Sequence, residues 1–319
     1  MDQAIIFLTG AFPYSAEFQN VGIALQGAMG VRKGPNKEGK LHWFHAFMLS
    51  VLAAFAGGTL NFIWMGKPSG MIANDLVMGS CIIAYILVNL LPFDIGFMFF
   101  NTLPASMMIV SSAQLFRALG TVKFLNVAFN AFKDSPSAYY PIPVFGPIIY
   151  AILLANMGPL VLKGFEGHVC NGVPWAVQNG VFCATFYHFY ANDQEGPIGT
   201  LLRKALPFAS QLGLDDATFA GIFVSVFMQI MGILQMPEFL GPSFTPFGTA
   251  ILSPFMDHST WNVGKEETAF SKKQRNIEMS EKSSTSKSTP AATPELETNT
   301  TKKRNRRKKG GVKSKEKEL

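Results

Sequence analysis

Charge is scarce in the first 264 residues of this 319-residue chain. They hold 11 Lys+Arg and 13 Asp+Glu, about 9% of positions, against roughly 25% in an ordinary soluble domain. A water-soluble body is excluded, and a chain that sits in a bilayer is the expectation. Cysteine is scarce too. Cys81 and Cys183 lie in apolar runs and Cys170 in a loop, so a disulfide framework is excluded and the first two read as small buried hydrophobes. Met1-Asp2-Gln3 has no basic stretch and no convincing small-residue cleavage site follows, so the first span is expected to direct insertion itself. Enzyme signatures are missing as well. There is no intramembrane aspartate pair, Gly-x-Ser-x-Gly elbow, His-Glu-x-x-His zinc helix, Gly-x-Gly-x-x-Gly turn or phosphate loop, and the chain reads as no enzyme.

What the sequence does have is apolar length. A crossing needs about 20 mostly apolar residues. Runs of that kind cover 43–65, 76–98, 102–122, 143–163, 173–191 and 219–237. A weaker run at 13–31 carries Glu17, Gln19 and Asn20, but Arg32, Lys33, Lys37 and Lys40 follow at once, the flank expected on a cytosolic side. Seven spans put the two ends on opposite sides. Basic residues Lys265, Lys272, Lys273 and Arg275 behind the last span place the C-terminal tail in the cytosol.

Spans 1–3 and 4–6 then form two three-helix units, the second inverted, with the seventh helix added outside the repeat. The middle helix of each unit contains helix breakers: Gly57-Gly58 in the second span and Gly158-Pro159 in the fifth, with Gly57 and Gly158 101 residues apart. Glycines alone fit close helix packing, but proline also removes a ladder hydrogen bond. Paired breaks in corresponding helices of two halves point to a substrate or ion path at the repeat interface. The fold expected is an all-α membrane protein, seven transmembrane helices as an inverted 3+3 repeat plus one extra helix, with helices 2 and 5 broken at mid-membrane. The domains are 1–264, a seven-helix transmembrane channel domain, and 265–319, a disordered basic tail with 16 Lys+Arg and 8 Asp+Glu.

Arg117 lies deep in the fourth span, where a guanidinium is costly unless it is paired or faces a cavity; about five residues from the span's end, it also has the reach to snorkel. Ser111, Gln114 and Arg117 stand at i, i+3 and i+6 and make a polar stripe that, with its fixed cation, suits an anionic ligand. Asp94 closes the third span, where a solvated carboxylate is the plainer reading. His42 and His45 beside Trp43 have no acidic or cysteine partner and read as interfacial anchors, not metal ligands. The run Lys302-Lys303-Arg304-Asn305-Arg306-Arg307-Lys308-Lys309 reads as attraction to anionic lipid in preference to nucleic acid. Lys315 and Lys317 near the C-terminus fit a cytosolic Lys-x-Lys-x-x retrieval signal or simple solvation.

Over roughly 11–250 the chain resembles the trimeric intracellular cation (TRIC) channels. The resemblance rests on the 3+3+1 plan, Ala56-Gly57-Gly58, Leu91-Pro92-Phe93-Asp94 closing helix 3, Leu103-Pro104 opening helix 4, Arg117, and Gly158 with Phe165-Glu166. The family's Lys-Glu-Val-x-Arg motif falls on Ala113-Gln114-Leu115-Phe116-Arg117, so its arginine matches while Ala113 and Gln114 replace lysine and glutamate; Ala155 replaces a second lysine. The resemblance implies a homotrimer in the endoplasmic or sarcoplasmic reticulum, with a pore in each protomer passing potassium and sodium as counter-ions to calcium release. It also implies phosphatidylinositol 4,5-bisphosphate (PIP2) at the pore, among other membrane lipids. Lipid contact is expected at Arg117, Gln114, Gly57, Gly58 and Gly158, and the pore at Gly57, Gly58, Ser111, Gln114 and Gly158, with no metal. An ion-coupled transporter and a non-conducting phosphoinositide-binding scaffold are the competing readings; helices 2, 4 and 5 offer no mid-membrane carboxylate, which disfavours the transporter.

Overall fold

Apolar runs become helices because a helix satisfies its own backbone groups where water is absent. The computed structural model describes residues 2–66, 68–135, 139–153, 157–158, 161 and 175–241, and among these every regular element is helical. A short helix α1 (Asp2–Leu8) precedes α2 (Ser15–Lys33), whose last turn carries Arg32 and Lys33, the sign of charge that the helix C-terminus favours. Next come α3 (Trp43–Trp64), α4 (Gly70–Ala73) and α5 (Asp75–Tyr85). α5 runs into a π turn at Ile86–Leu90, then a 3-10 turn at Pro92–Asp94 and α6 (Ile95–Phe100). α7 (Leu103–Phe132) is the longest at 30 residues. α8 covers 145–153, and residues 157, 158 and 161 are again helical. α9 (Trp175–Tyr187) ends in a second π turn at His188–Asn192, followed by α10 (Pro197–Ala205), α11 (Phe208–Leu212) and α12 (Asp216–Leu234).

α3 and α12 are each long and apolar enough to cross a membrane, and the pair Asp75–Leu90 with Pro92–Phe100, bent by 94°, makes a third candidate. The chain is a multi-pass membrane protein. Two packed centres divide it. One gathers Ile23, Val51, Phe55, Val88 and Ala113; the other gathers Leu125, Tyr187, Tyr190, Val224 and Met228. α7 contributes to both and is the shared wall. Between helices in lipid the attraction is close packing and hydrogen bonding, and both are present. A Cβ on Gly22 would overlap Ser112 Oγ, and one on Gly27 would lie 2.7 Å from the Ser50 carbonyl oxygen, so glycine sets how closely α2 meets α7 and α3. Asn61 Nδ2 donates to the Tyr150 carbonyl at 2.7 Å and Tyr150 Oη returns a bond to the Asn61 carbonyl at 3.1 Å, which pins α3 to α8.

Several boundaries differ from the sequence expectation. α3 is one continuous α-helix through Gly57-Gly58, so the break expected in helix 2 is absent. Glycine keeps its backbone N–H and costs about 1 kcal/mol against alanine, which the surrounding packing tolerates. The sharp bend lies in the third span instead. Pro92 holds Leu91 extended at φ −70°, ψ 139°, and Phe93 and Asp94 follow at φ 57° and 54°. The chain therefore turns at the motif expected to close helix 3, not at residue 98. α7 runs to Phe132 rather than 122 and puts Arg117 in mid-helix. In the fifth span, 154–156 and 159–160 lie outside the described residues, and so do Pro159 and the tail from 265 onward.

Candidate permeation and anion site

α2, α3, α7 and α12 surround a polar cavity of about 420 Å³. Its wall includes Gln26 and Lys33 from α2, Ala53 from α3, Gln114 and Arg117 from α7, and Gly158. Gly158 is there because nothing larger fits: a Cβ at this position would overlap the Ala53 carbonyl oxygen. The expected crossing of the second and fifth spans therefore exists, but it is made by Gly158 on the Ala53 backbone and not by facing glycines. Gln114 is buried, its side chain against Gly232 of α12, where a Cβ would stand 2.5 Å from Gln114 Cγ.

Arg117 is half-buried and donates from Nη2 to Gln26 Oε1 at 2.8 Å. That amide carries no charge, so the guanidinium is held in place without being neutralised. Lys33 stands on the same wall, and the described lining contains no carboxylate. Arg117, held by Gln26, and the exposed Lys33 thus put two cationic groups on one cavity wall, and the planar donors of arginine are of a geometry that suits phosphate.

The other residues expected at the site are placed differently. Ser111 does not line the cavity; its hydroxyl donates to Gln229 Oε1 at 2.6 Å and ties α7 to α12. Each three-residue step on a helix rotates the side chain by about 60°, so Ser111 and Arg117 cannot share one narrow stripe. Gly57 is buried within α3 and lines no cavity described. Gly58 lines a second cavity of about 300 Å³ with Asn20, Thr59, Asn74 and Lys123, and a Cβ on it would meet nothing within 4 Å. Of the five pore residues expected, the structure thus brings Gln114 and Gly158 together with Arg117, puts Gly58 in the second cavity, and assigns Ser111 and Gly57 to packing.

Sequence reasoning missed Gln26 and treated Lys33 only as a topological flank. The signal for both was the weak hydropathy of the first span. Polar residues in a membrane helix face protein or a cavity, and Gln19, Asn20 and Gln26 do so here, while Lys33, exposed at the end of α2, edges the first cavity. The third-span bend reaches the site through Phe100 on the cavity wall, and Arg32, one residue from Lys33, pairs with Asp94 Oδ1 at 2.8 Å and lies over the Phe97 ring at 5.5 Å. Among the described residues no cluster of three metal-ligating side chains occurs.

The sequence matches no protein-family model and no curated protein. Solved structures do match. A Trimeric Intracellular Cation channel from C. elegans in the absence of Ca²⁺ aligns at a TM-score of 0.50 and 14% identity, covering 74% of this chain and 97% of that one. One from C. elegans with bound Ca²⁺ aligns at 0.49 and 15%, covering 73% and 97%. The chain has a TRIC-like fold, the one its sequence resembles.

Proposed function

We propose that this chain is a TRIC channel: a monovalent cation channel, passing potassium, of the endoplasmic or sarcoplasmic reticulum, giving counter-ion flux during calcium release. It works as a homotrimer with one pore per protomer, C-terminal tail in the cytosol, and a phosphoinositide at the pore. The observation that carries the reading is the polar cavity walled by α2, α3, α7 and α12, with Arg117, Lys33, Gln26 and Gln114 on it. A path for cations lined by two positive charges repels its own cargo, at about 1 kcal/mol per pair of charges at 4 Å even in bulk water. An anionic headgroup on Arg117 and Lys33 removes that repulsion, so lipid and conduction are coupled in one site. An apolar groove of about 540 Å³ adjoins it, sharing Phe100 and Ile109 with the polar cavity, and this supports an amphiphile with its tails beside its headgroup.

The same wall argues against a coupled transporter, which needs a carboxylate to carry the coupling ion; none is on the described lining. The test is Arg117→Ala in purified protein. PIP2 co-purification is expected to fall about tenfold, with potassium flux into liposomes falling alongside it. Full PIP2 retention in a folded Arg117→Ala trimer would remove the lipid from this cavity.

A further inference from the structure

The two polar cavities share no lining residue, yet they follow one another along the same three helices. On α2, Gln19 and Asn20 line the second cavity, and Gln26, Gly30 and Lys33 line the first. On α7, Val110, Gln114 and Arg117 belong to the first and Gly120, Lys123 and Phe124 to the second. On α3, Ala53 faces the first, while Gly58, Thr59 and Phe62 face the second. α2 and α7 are therefore read in opposite senses, and both place the second cavity toward the same end of the bundle. Phe55 and Phe116 line the second cavity at its end toward the first, and Ile23, 2% exposed, and Ala113, fully buried, belong to the same apolar cluster as Phe55. Phe116 packs onto this group, its ring edge-on to Phe55 with centroids 5.7 Å apart and planes at 87°.

We propose that Phe55 and Phe116, backed by Ile23, form the barrier that closes the path between the two cavities. The proposal rests on the channel reading above and adds the residues that set its conduction. An apolar constriction between two wet compartments stops ions by dewetting, without any charged gate. It opens when the two rings part. α3 has room for this on the side of the second cavity, since nothing lies within 4 Å of a Cβ on Gly58. On the opposite side Gly158 stands against the Ala53 backbone, so a shift of the fifth span is felt two residues from Phe55.

The experiment uses the full chain with Cys81, Cys170 and Cys183 changed to alanine, carrying Gly58→Cys or Val110→Cys, in sealed membranes treated from either face with an impermeant thiol reagent. Each cysteine is expected to react from one face only, and from opposite faces. Adding Phe116→Ala, or Phe55→Ala, is expected to make Gly58→Cys reactive from both faces and to raise potassium flux about tenfold, while Phe116→Leu, closer in volume and still apolar, has a smaller effect. Trimer elution on gel filtration identifies the variants that fold. Reaction of Gly58→Cys from both faces with both rings intact, or labelling that stays one-sided in folded Phe55→Ala and Phe116→Ala proteins, overturns the barrier. Labelling that becomes two-sided with no flux in any protein sustains the barrier and overturns the channel reading instead.

Discussion

Two corners of this molecule are built to the same plan and anchored in different ways. The third span ends in the π turn Ile86–Leu90 and the sixth in the π turn His188–Asn192, each followed by a short helix, α6 or α10. In each, a glycine on the short helix sits against a carbonyl of the π turn, Gly96 on Leu87 and Gly199 on Phe189, with the Asp193 carbonyl closer still to Gly199. Leu87 and Phe189 are 102 residues apart, close to the spacing of Gly57 and Gly158. The pairing fits a repeated three-helix unit with a shared irregularity at the end of its third helix.

The anchors differ. At the sixth span the buried Asp193 accepts from Gly196 N at 3.0 Å, Gly199 N at 2.9 Å and Tyr140 Oη at 2.6 Å, and Arg203 donates to the carbonyls of Tyr190 and Asp193 at 3.0 Å each. At the third span one ion pair, Arg32 with a half-exposed Asp94, does the holding, and Phe93 and Asp94 both sit at positive φ. Non-glycine residues in that region cost about 1–3 kcal/mol each. One corner is fixed by a buried carboxylate at the head of a helix; the other is strained and tied by a surface pair. The strained corner is the one beside the cavity, which Phe100 of α6 lines.

The largest effect separating them is expected from Asp193→Ala. It leaves two buried N–H groups, those of Gly196 and Gly199, without their carboxylate acceptor, and thermal unfolding followed by gel filtration is expected to show a loss on the order of 3 kcal/mol. The next test asks where the corners are alike. Gly96→Ala and Gly199→Ala each push a methyl into a backbone carbonyl and are expected to cost about 1–3 kcal/mol by similar amounts; one of the two proving neutral would break the shared plan. The smallest effects belong to the third-span corner. Asp94→Ala is expected to cost under about 1 kcal/mol, as surface pairs do, while Phe93→Gly is expected to stabilise by about 1 kcal/mol by relieving its positive φ. A melting temperature that drops with Phe93→Gly would show that the exposed ring contributes more than the backbone strain costs.

Much of this was legible in the sequence, and the misses have common causes. Hydropathy placed the second, sixth and seventh spans within a few residues, because an apolar run of that length has few alternatives to a helix. It failed on α7, where Lys123 and Asn126 end the apolar run although the helix goes on to Phe132, and it gave no hint of α1. Glycine pairs were over-read as breaks: Gly57-Gly58 loses no hydrogen bond, whereas Pro92, with no N–H to give, does turn the chain. Arg117 was legible because a charge in mid-span needs a reason. The difference between Gln114, which faces the cavity, and Ser111, which bonds Gln229, depends on about 60° of helix rotation that spacing alone does not orient. The Phe55–Phe116 contact, between residues on separate helices, had no local signal at all.

The most direct test of the central claim, that a cation path runs through each protomer by way of the Arg117 cavity, is the reversal potential of the purified trimer in a planar bilayer under a potassium chloride gradient. Unitary currents reversing near the potassium equilibrium potential, and lost when PIP2 is withheld, are the result this account predicts. An intact trimer that stays silent with PIP2 present, or whose currents reverse at the chloride potential, would contradict it.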